Sequence, residues 1–253
     1  MSAGPAPGAS DTRGVGGAIE PPHTEDELRR RARMLAGWTL ADLAAHTGTT
    51  LPVDQRRAKG LVGRLVEDAL GATGANTDAP DFPALGVELK TIPVARDGRP
   101  RESTFVCTID LRSIAEMTWA DSRARRKLAR VLWVPIESEP DLALANRRIG
   151  AAVLWWPTPD DEDALRADWE EIARLIGRGD VEMVDARAGR WLQVRPKARN
   201  ARSRGRAADA DGAPVRTLPR GFYLRASFTA RILRDAFAPT HPAAPSAHAA
   251  ARG

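Results

Sequence analysis

Apolar and polar positions along the chain change period several times, and each change marks an element. Thr24, followed three residues later by Glu27, has the form of a capping box and opens a predicted helix through about Leu35. Thr39 caps a second, short helix that ends near Gly48. A third helix is expected from about Lys59 to Leu70. Leu61, Val62, Leu65, Val66 and Ala69 form its apolar face, and Gly71 stops it. Glu67 falls off the centre of that face, where a residue at the edge of a cleft would sit.

The period then switches to two. Gly86 to Ile92 alternates apolar and polar residues and reads as a strand; Ser103–Leu111, Val131–Glu137 and Ala151–Pro157 are further strand candidates. Asp163 to Ile176 returns to helical spacing. Val181–Ala186 and Arg190–Arg195 bracket Arg187-Ala188-Gly189 and suggest a hairpin. Asn200 to Pro214 reads as a polar loop, Gly221 to Arg225 as a short strand, and Ser227 to Phe237 as a closing helix. Mixed strands flanked by helices indicate an α/β or α+β fold.

Composition trims the ends. Residues 1–22 are rich in Gly, Pro and Ala and read as a disordered leader, and 239–253 as a disordered Ala/Pro/His tail. One domain over residues 23–238 remains. No run of eighteen apolar residues is present, and residues 1–17 lack a basic segment followed by an apolar one. A cytoplasmic protein with no membrane association is the expectation. A single cysteine, Cys107, excludes a disulfide framework and a thiolate zinc site, and the four histidines are scattered. Cys107 lies in an apolar strand and is expected to be buried and inert. Trp119, Trp133, Trp155 and Trp156 are expected in the core. No glycine-rich phosphate loop follows a strand, so nucleotide hydrolysis and dinucleotide binding lack support.

Charge says more than size. The net charge is +5, but residues 137–186 carry 13 acids against 5 bases, and residues 187–234 carry 13 bases against 2 acids. A second basic knot comprises Arg123, Arg125, Arg126, Lys127 and Arg130. Dense basic stretches set apart from an acidic one suggest a polyanionic partner. Of 38 basic residues, only Lys59, Lys90, Lys127 and Lys197 are lysine. A lysine kept against so strong an arginine preference marks a place where a compact point charge serves and a planar fork does not.

The segment from Asp81 to Lys90 concentrates the chemistry. Residues two apart on a strand face the same way, so Glu88 and Lys90 project together while Val87 and Leu89 face the opposite side. Asp81 precedes the strand and can return to the same spot. Two carboxylates and one ammonium suit Mg²⁺-dependent phosphodiester hydrolysis: carboxylates hold the hard cation, and the lysine positions water or stabilises developing charge. Taken alone, the same pattern also fits an exposed, salt-bridged strand.

Longer blocks carry a resemblance. Lys59-Gly60-Leu61-Val62-Gly63 with Glu67, then Asp81-Phe82 and Gly86 through Pro93, resemble the family of the DNA mismatch-repair endonuclease MutH. So do Thr104-Phe105-Val106-Cys107, Arg126-Lys127-Leu128 with Arg130 to Trp133, Leu192 to Lys197, and Leu218 to Leu224. The similarity runs in order from about Thr24 to Phe237. It implies a restriction-endonuclease-like fold, a mixed sheet flanked by helices whose two arms form a DNA cleft. It implies a monomer that nicks the unmethylated strand at hemimethylated GATC in double-stranded DNA, with Mg²⁺, after activation by MutL and, indirectly, MutS. By the same resemblance Asp81 and Glu88 are metal ligands, Lys90 the catalytic lysine, Glu67 an auxiliary acid and Lys127 a cation near the phosphate. Lys59, Phe105, Arg195, Pro196, Lys197 and Arg220 are implied to bind DNA, and Tyr223 to sense adenine methylation. The long leader, the tail and the arginine-rich loop depart from the family pattern. Two alternatives remain: a restriction enzyme of similar site preference that cuts both strands without repair partners, and a non-catalytic DNA-binding module.

The basic stretch generates a first prediction. If about six phosphates are neutralised on binding duplex DNA, log K against log salt should fall with a slope of about −5. A nearly flat slope in a fluorescence-anisotropy titration would remove the polyanion reading.

Overall fold

The computed structural model describes residues 19–52, 60–74, 78–180, 184, 187–197 and 219–238, and the backbone of 205–208 and 214–217. Six helices are seen among them: α1 Glu25–Leu35, α2 Leu40–Thr47, α3 Leu61–Leu70, α4 Arg123–Leu128, α5 Pro159–Gly177 and α6 Ala226–Phe237. The strands are β1 Glu88–Val94, β2 Thr104–Thr108, β3 Val131–Glu137, β4 Val153–Trp155, β5 Leu192–Pro196, β6 Gly205–Ala208, β7 Pro214–Thr217 and β8 Arg220–Leu224.

Local chemistry explains the helix ends. The Thr24 hydroxyl accepts from the Glu27 amide, while the Glu27 carboxylate accepts from the amide of His23, one residue earlier than a capping box requires. Thr39 and Asp42 form a full capping box on α2, and Gly48 closes it in the left-handed region. Thr158 and Asp161 do the same for α5, so that helix starts four residues before the periodicity alone suggests. Residues 19–22, placed by composition in the leader, lie against the fold: Pro22 is buried, and the Glu20 carbonyl accepts from Arg31 at 2.6 Å.

Two three-stranded sheets organise the chain. In the first, β1 runs parallel to β3, and β4 pairs antiparallel on the other side of β3. In the second, β8 is central, with β2 and β5 antiparallel on its flanks. Strand β3 joins two apolar clusters. Its Val131 and Trp133 pack with β2, α4, α5, β5, β8 and α6, while Leu132, Val134 and Ile136 pack with α1, α2, α3 and the residues around β1. Both faces of β3 are therefore buried, which its nearly unbroken apolar run Val131–Ile136 requires.

Two expectations need correction, and a third falls mostly outside the described residues. The segment 200–214 is not loop throughout, because β6 and β7 pair antiparallel across an Asp-Gly-containing connection. Strand β5 pairs with β8; the expected hairpin partner, 181–186, lies outside the described residues except for Val184, which is not in a strand. Trp156 is 51% exposed, with the Arg130 guanidinium 5.0 Å from its ring centroid. Strand β4 ends at Trp155, and Trp156 follows it out of the sheet. Trp119 and Trp133 do lie in the core, and Trp155 packs against it.

Cys107 is 3% exposed, and burial pushes its thiol up to about 11. At pH 8 only about one molecule in 10³ then carries a thiolate, the reactive form, and the fraction grows as pH rises toward that value. Native protein is expected to resist a thiol-specific chromogenic disulfide at pH 8, and protein unfolded in guanidinium to react fully. Rapid reaction of the native protein would contradict the burial.

Candidate active site

A short loop closure sets up the site. Phe82 and Val87 bridge to one another, Phe82 N donating to Val87 O at 2.9 Å and Val87 N to Phe82 O at 3.3 Å. Gly86 turns the loop at φ 66°, where a side chain would be strained. The residues flanking the bridge, Asp81 and Glu88, are thereby brought opposite each other. Asp81 is held at both ends. Its carbonyl accepts from the amides of Thr73 and Gly74, each at 3.0 Å, and its carboxylate accepts from the Leu89 amide at 2.8 Å. A Cβ at Gly74 would stand 2.3 Å from the Pro80 carbonyl oxygen, so this approach needs glycine.

Glu88 is 2% exposed, yet it is not unpartnered. Its Oε1 accepts from Lys90 Nζ at 2.5 Å and its Oε2 from Lys127 Nζ at 2.8 Å. Lys127, itself buried, also donates to the Ala79 carbonyl at 2.6 Å, tying α4 to the loop that leads into Asp81. Glu67 joins them from α3. Burial and the nearby charge of Asp81 push the Glu67 carboxyl up, with Lys90 pulling the other way. Asp81 is likewise raised by burial and by the Glu88 charge, against the Leu89 hydrogen bond and the two lysines. Carboxylates crowded in this way favour any cation that enters.

The far wall is β2. Phe105, Val106, Cys107 and Thr108 all line the same cavity of about 330 Å³, with Glu67, Asp81, Glu88, Lys90, Arg123, Lys127 and Lys197. Four successive residues on one wall break the alternation of a strand. A bulge between Phe105 and Cys107 accounts for it: Phe105 opposes Tyr223, yet Cys107 already opposes Phe222. Gly221 makes room, since a Cβ there would lie 2.8 Å from the Phe105 ring.

Residues expected to touch DNA gather at this wall. Lys197 Nζ donates to Thr108 Oγ1 at 2.8 Å and sits 4.7 Å from the Phe105 ring centroid. Arg195 donates to Ser103 Oγ at 2.7 Å, and Pro196 beside it is exposed. Tyr223 packs edge-on against Phe105 at 5.3 Å, and partial burial raises its phenol pKa. Arg220 behaves differently. It is 6% exposed and donates to the Val184 carbonyl at 2.9 Å, so its guanidinium serves the interior instead of the cavity. Lys59 lies outside the described residues.

The basic knot on α4 is also tied up. Arg123 pairs with Asp78, Arg125 with Glu162, Arg130 with Glu25 and Lys127 with Glu88, while Arg126 donates to the Asp121 carbonyl. Most of this cluster is therefore paired within the chain instead of standing as a bare cationic patch. Sequence reasoning gave no role to Arg123 or Thr108, which line the cavity; membership of the knot was the only available signal for Arg123. Among the described residues, no group of three or more His, Cys, Asp or Glu side chains is arranged as a ligand shell.

Comparisons with known proteins identify one family. A family described as DNA mismatch repair enzyme MutH matches residues 70–168, which include Asp81, Glu88, Lys90 and Lys127. The DNA mismatch repair protein MutH of Vibrio cholerae is 47% identical over 217 residues, covering 86% of this chain and 98% of that protein. That of Shewanella amazonensis is 49% identical over 217 residues, 86% of this chain and 97% of the relative. The Escherichia coli protein of the same name is 47% identical over 219 residues, 87% and 96% respectively.

Lys90 meets Glu88 through a single ammonium that also faces the cavity, and a guanidinium there would be bulkier, forked and unable to give up its proton. Lys90→Arg should therefore lose about 10²-fold in single-turnover DNA cleavage, close to the loss in Lys90→Ala. Near-normal cleavage by the arginine variant would reduce Lys90 to a nearby positive charge.

Proposed function

The chain belongs to the MutH family of DNA mismatch repair enzymes, and we propose that this endodeoxyribonuclease nicks the unmethylated strand of hemimethylated GATC sites. The reading rests on one observation: three carboxylates and two lysines converge on a cavity whose opposite wall carries Phe105 and Lys197. A negatively lined floor suits a divalent cation, and a cationic rim suits the phosphate that must approach it.

Asp81 and Glu88 fit Mg²⁺ as oxygen donors, because that ion keeps several waters and takes only one or two protein carboxylates. When bound, the ion polarises the scissile phosphate and lowers the pKa of the attacking water. The chain's own groups do the rest. Lys90 Nζ, on a side chain 19% exposed at the cavity, donates to a water or to a phosphate oxygen as charge develops there. Lys127 fixes the spacing between the Asp81 loop and β1 through its two contacts. Glu67 stands as an auxiliary acid beside Asp81. Arg195, Pro196 and Lys197 are the base-reading segment, and Tyr223, supported by Phe105, is the methyl sensor. The proposed setting is the cytoplasm, with the enzyme monomeric and stimulated by MutL after MutS has bound a mismatch.

Supercoiled plasmid carrying one hemimethylated GATC site tests this. Mg²⁺ should support conversion to the nicked circle, MutL should accelerate it, and linear product should stay absent. Asp81→Ala and Glu88→Ala should each fall below about a tenth of wild-type nicking, since a metal ligand acts on the transition state by several kcal/mol. DNA binding should be equal or tighter, because each change removes a charge that repels phosphate. Cutting of both strands at the wild-type site would favour the restriction-enzyme reading. Retained nicking in either variant would remove these residues from the site.

A further inference from the structure

Strand β5, which delivers the proposed base-reading segment, is short and, among the described residues, lies at a sheet edge and pairs with β8 alone. A one-residue slip of such a strand would exchange its two faces, sending Arg195 where Pro196 now points. Its starting turn is gripped from two sides. The buried Asp168 carboxylate on α5 accepts from the amide of Arg190 at 2.6 Å, of Trp191 at 2.6 Å and of Leu192 at 2.8 Å. The Arg225 guanidinium, arriving from the end of β8, donates to the carbonyls of Arg187, Ala188 and Gly189 at 3.3, 3.5 and 2.9 Å. Gly189 lies between the two grips at φ 75°, and a Cβ there would stand 2.0 Å from the Leu192 carbonyl oxygen.

We infer that Asp168 and Arg225 are positioning residues for site recognition: by clamping the 187–192 turn they set the register of β5, and so the placement of Arg195 and Lys197. Asp168 lies on a core helix between Leu165 and Ile172, which ties the clamp to the rigid interior. Three charge-assisted hydrogen bonds to one carboxylate are directional, and no neutral side chain of that size accepts all three. Only two residues separate Leu192 from Arg195, so a shift at the turn travels undamped to the segment. The inference rests on the reading of 195–197 given above.

The test uses full-length wild type, Asp168→Asn, Arg225→Lys and a core control on the same helix, Ile172→Val. Single-turnover nicking is measured on a hemimethylated GATC duplex and on one with a single base pair changed, over a range of enzyme concentrations. Hydrogen exchange of the amides of residues 190–194 is followed in the free protein. Both clamp variants should lose about tenfold in discrimination between the duplexes, in the range that one base contact supplies. Their half-saturating concentration on the target should rise, while the maximal rate stays within about threefold of wild type. Exchange at 190–192 should quicken. Ile172→Val should lower the melting temperature and leave discrimination intact. Unchanged discrimination in both clamp variants, or an equal loss in the core control, overturns the inference. If Asp168→Asn does not fold, Arg225→Lys decides alone. A wild type that does not discriminate overturns the reading of the recognition segment, and this inference with it.

Discussion

The closure of the 82–87 loop is the constraint on which the site depends. Six residues separate Asp81 from Glu88, and only the mutual backbone bonds of Phe82 and Val87 convert that separation into apposition. Every later feature uses it. The Leu89 amide reaches Asp81 because the strand begins at once after the bridge. Lys90 meets Glu88 because residues two apart share a face. Lys127 can span from Ala79 to Glu88 because the loop has brought those positions together. Phe82 and Val87 are themselves 3% and 0% exposed, so the bridge is anchored in the core of α1, α2 and α3. The site thus inherits its geometry from a hydrophobic cluster that takes no part in the chemistry.

Charge in this chain divides into two kinds. On α4, cations are dense in sequence yet each meets a carboxylate or a carbonyl in the fold. Ion pairs exposed to this degree contribute little to stability. Around β5, by contrast, Arg195 and Lys197 donate to the hydroxyl groups of Ser103 and Thr108, and Lys197 lies over the Phe105 ring, contacts that orient a cation without cancelling it. A count of basic residues cannot separate these cases, because the partners come from elements up to about a hundred residues away.

How much was legible follows from the range of the signals. The Thr24, Thr39 and Gly71 helix limits, the β3 boundaries, and the convergence of Asp81, Glu88 and Lys90 all come from local pattern, and local pattern was readable. The β2 bulge was not, since nothing in Thr104–Thr108 departs from an ordinary strand; the irregularity exists only against β8. Arg220 sits in a matched block and looks like its basic neighbours, yet a carbonyl 36 residues upstream takes it into the interior. The β6–β7 pair was hidden by its Arg and Ala content, which carries no alternation to read.

The pairing of Glu88 with two ammonium groups is hard to justify by stability alone. Burying three charges costs several kcal/mol per ion before their attraction repays any of it, and an apolar trio of the same volume would hold β1 against α4 about as well. Nor is the arrangement self-contained: with Asp81 and Glu67 close by, the pocket holds three carboxylates and only these two cations in contact with one of them. Retaining such a cluster makes physical sense where the charges are used. The two lysines hold Glu88 fixed in a nearly dry position, and Asp81 and Glu67 beside it offer further oxygen donors to an entering cation. Lys127 adds a mechanical consequence. Ala124 and Leu128 around it belong to one apolar cluster, whereas Leu89 beside Glu88 belongs to the other. The ion pair therefore crosses the seam between the two halves of the molecule, and the site is complete only when they meet.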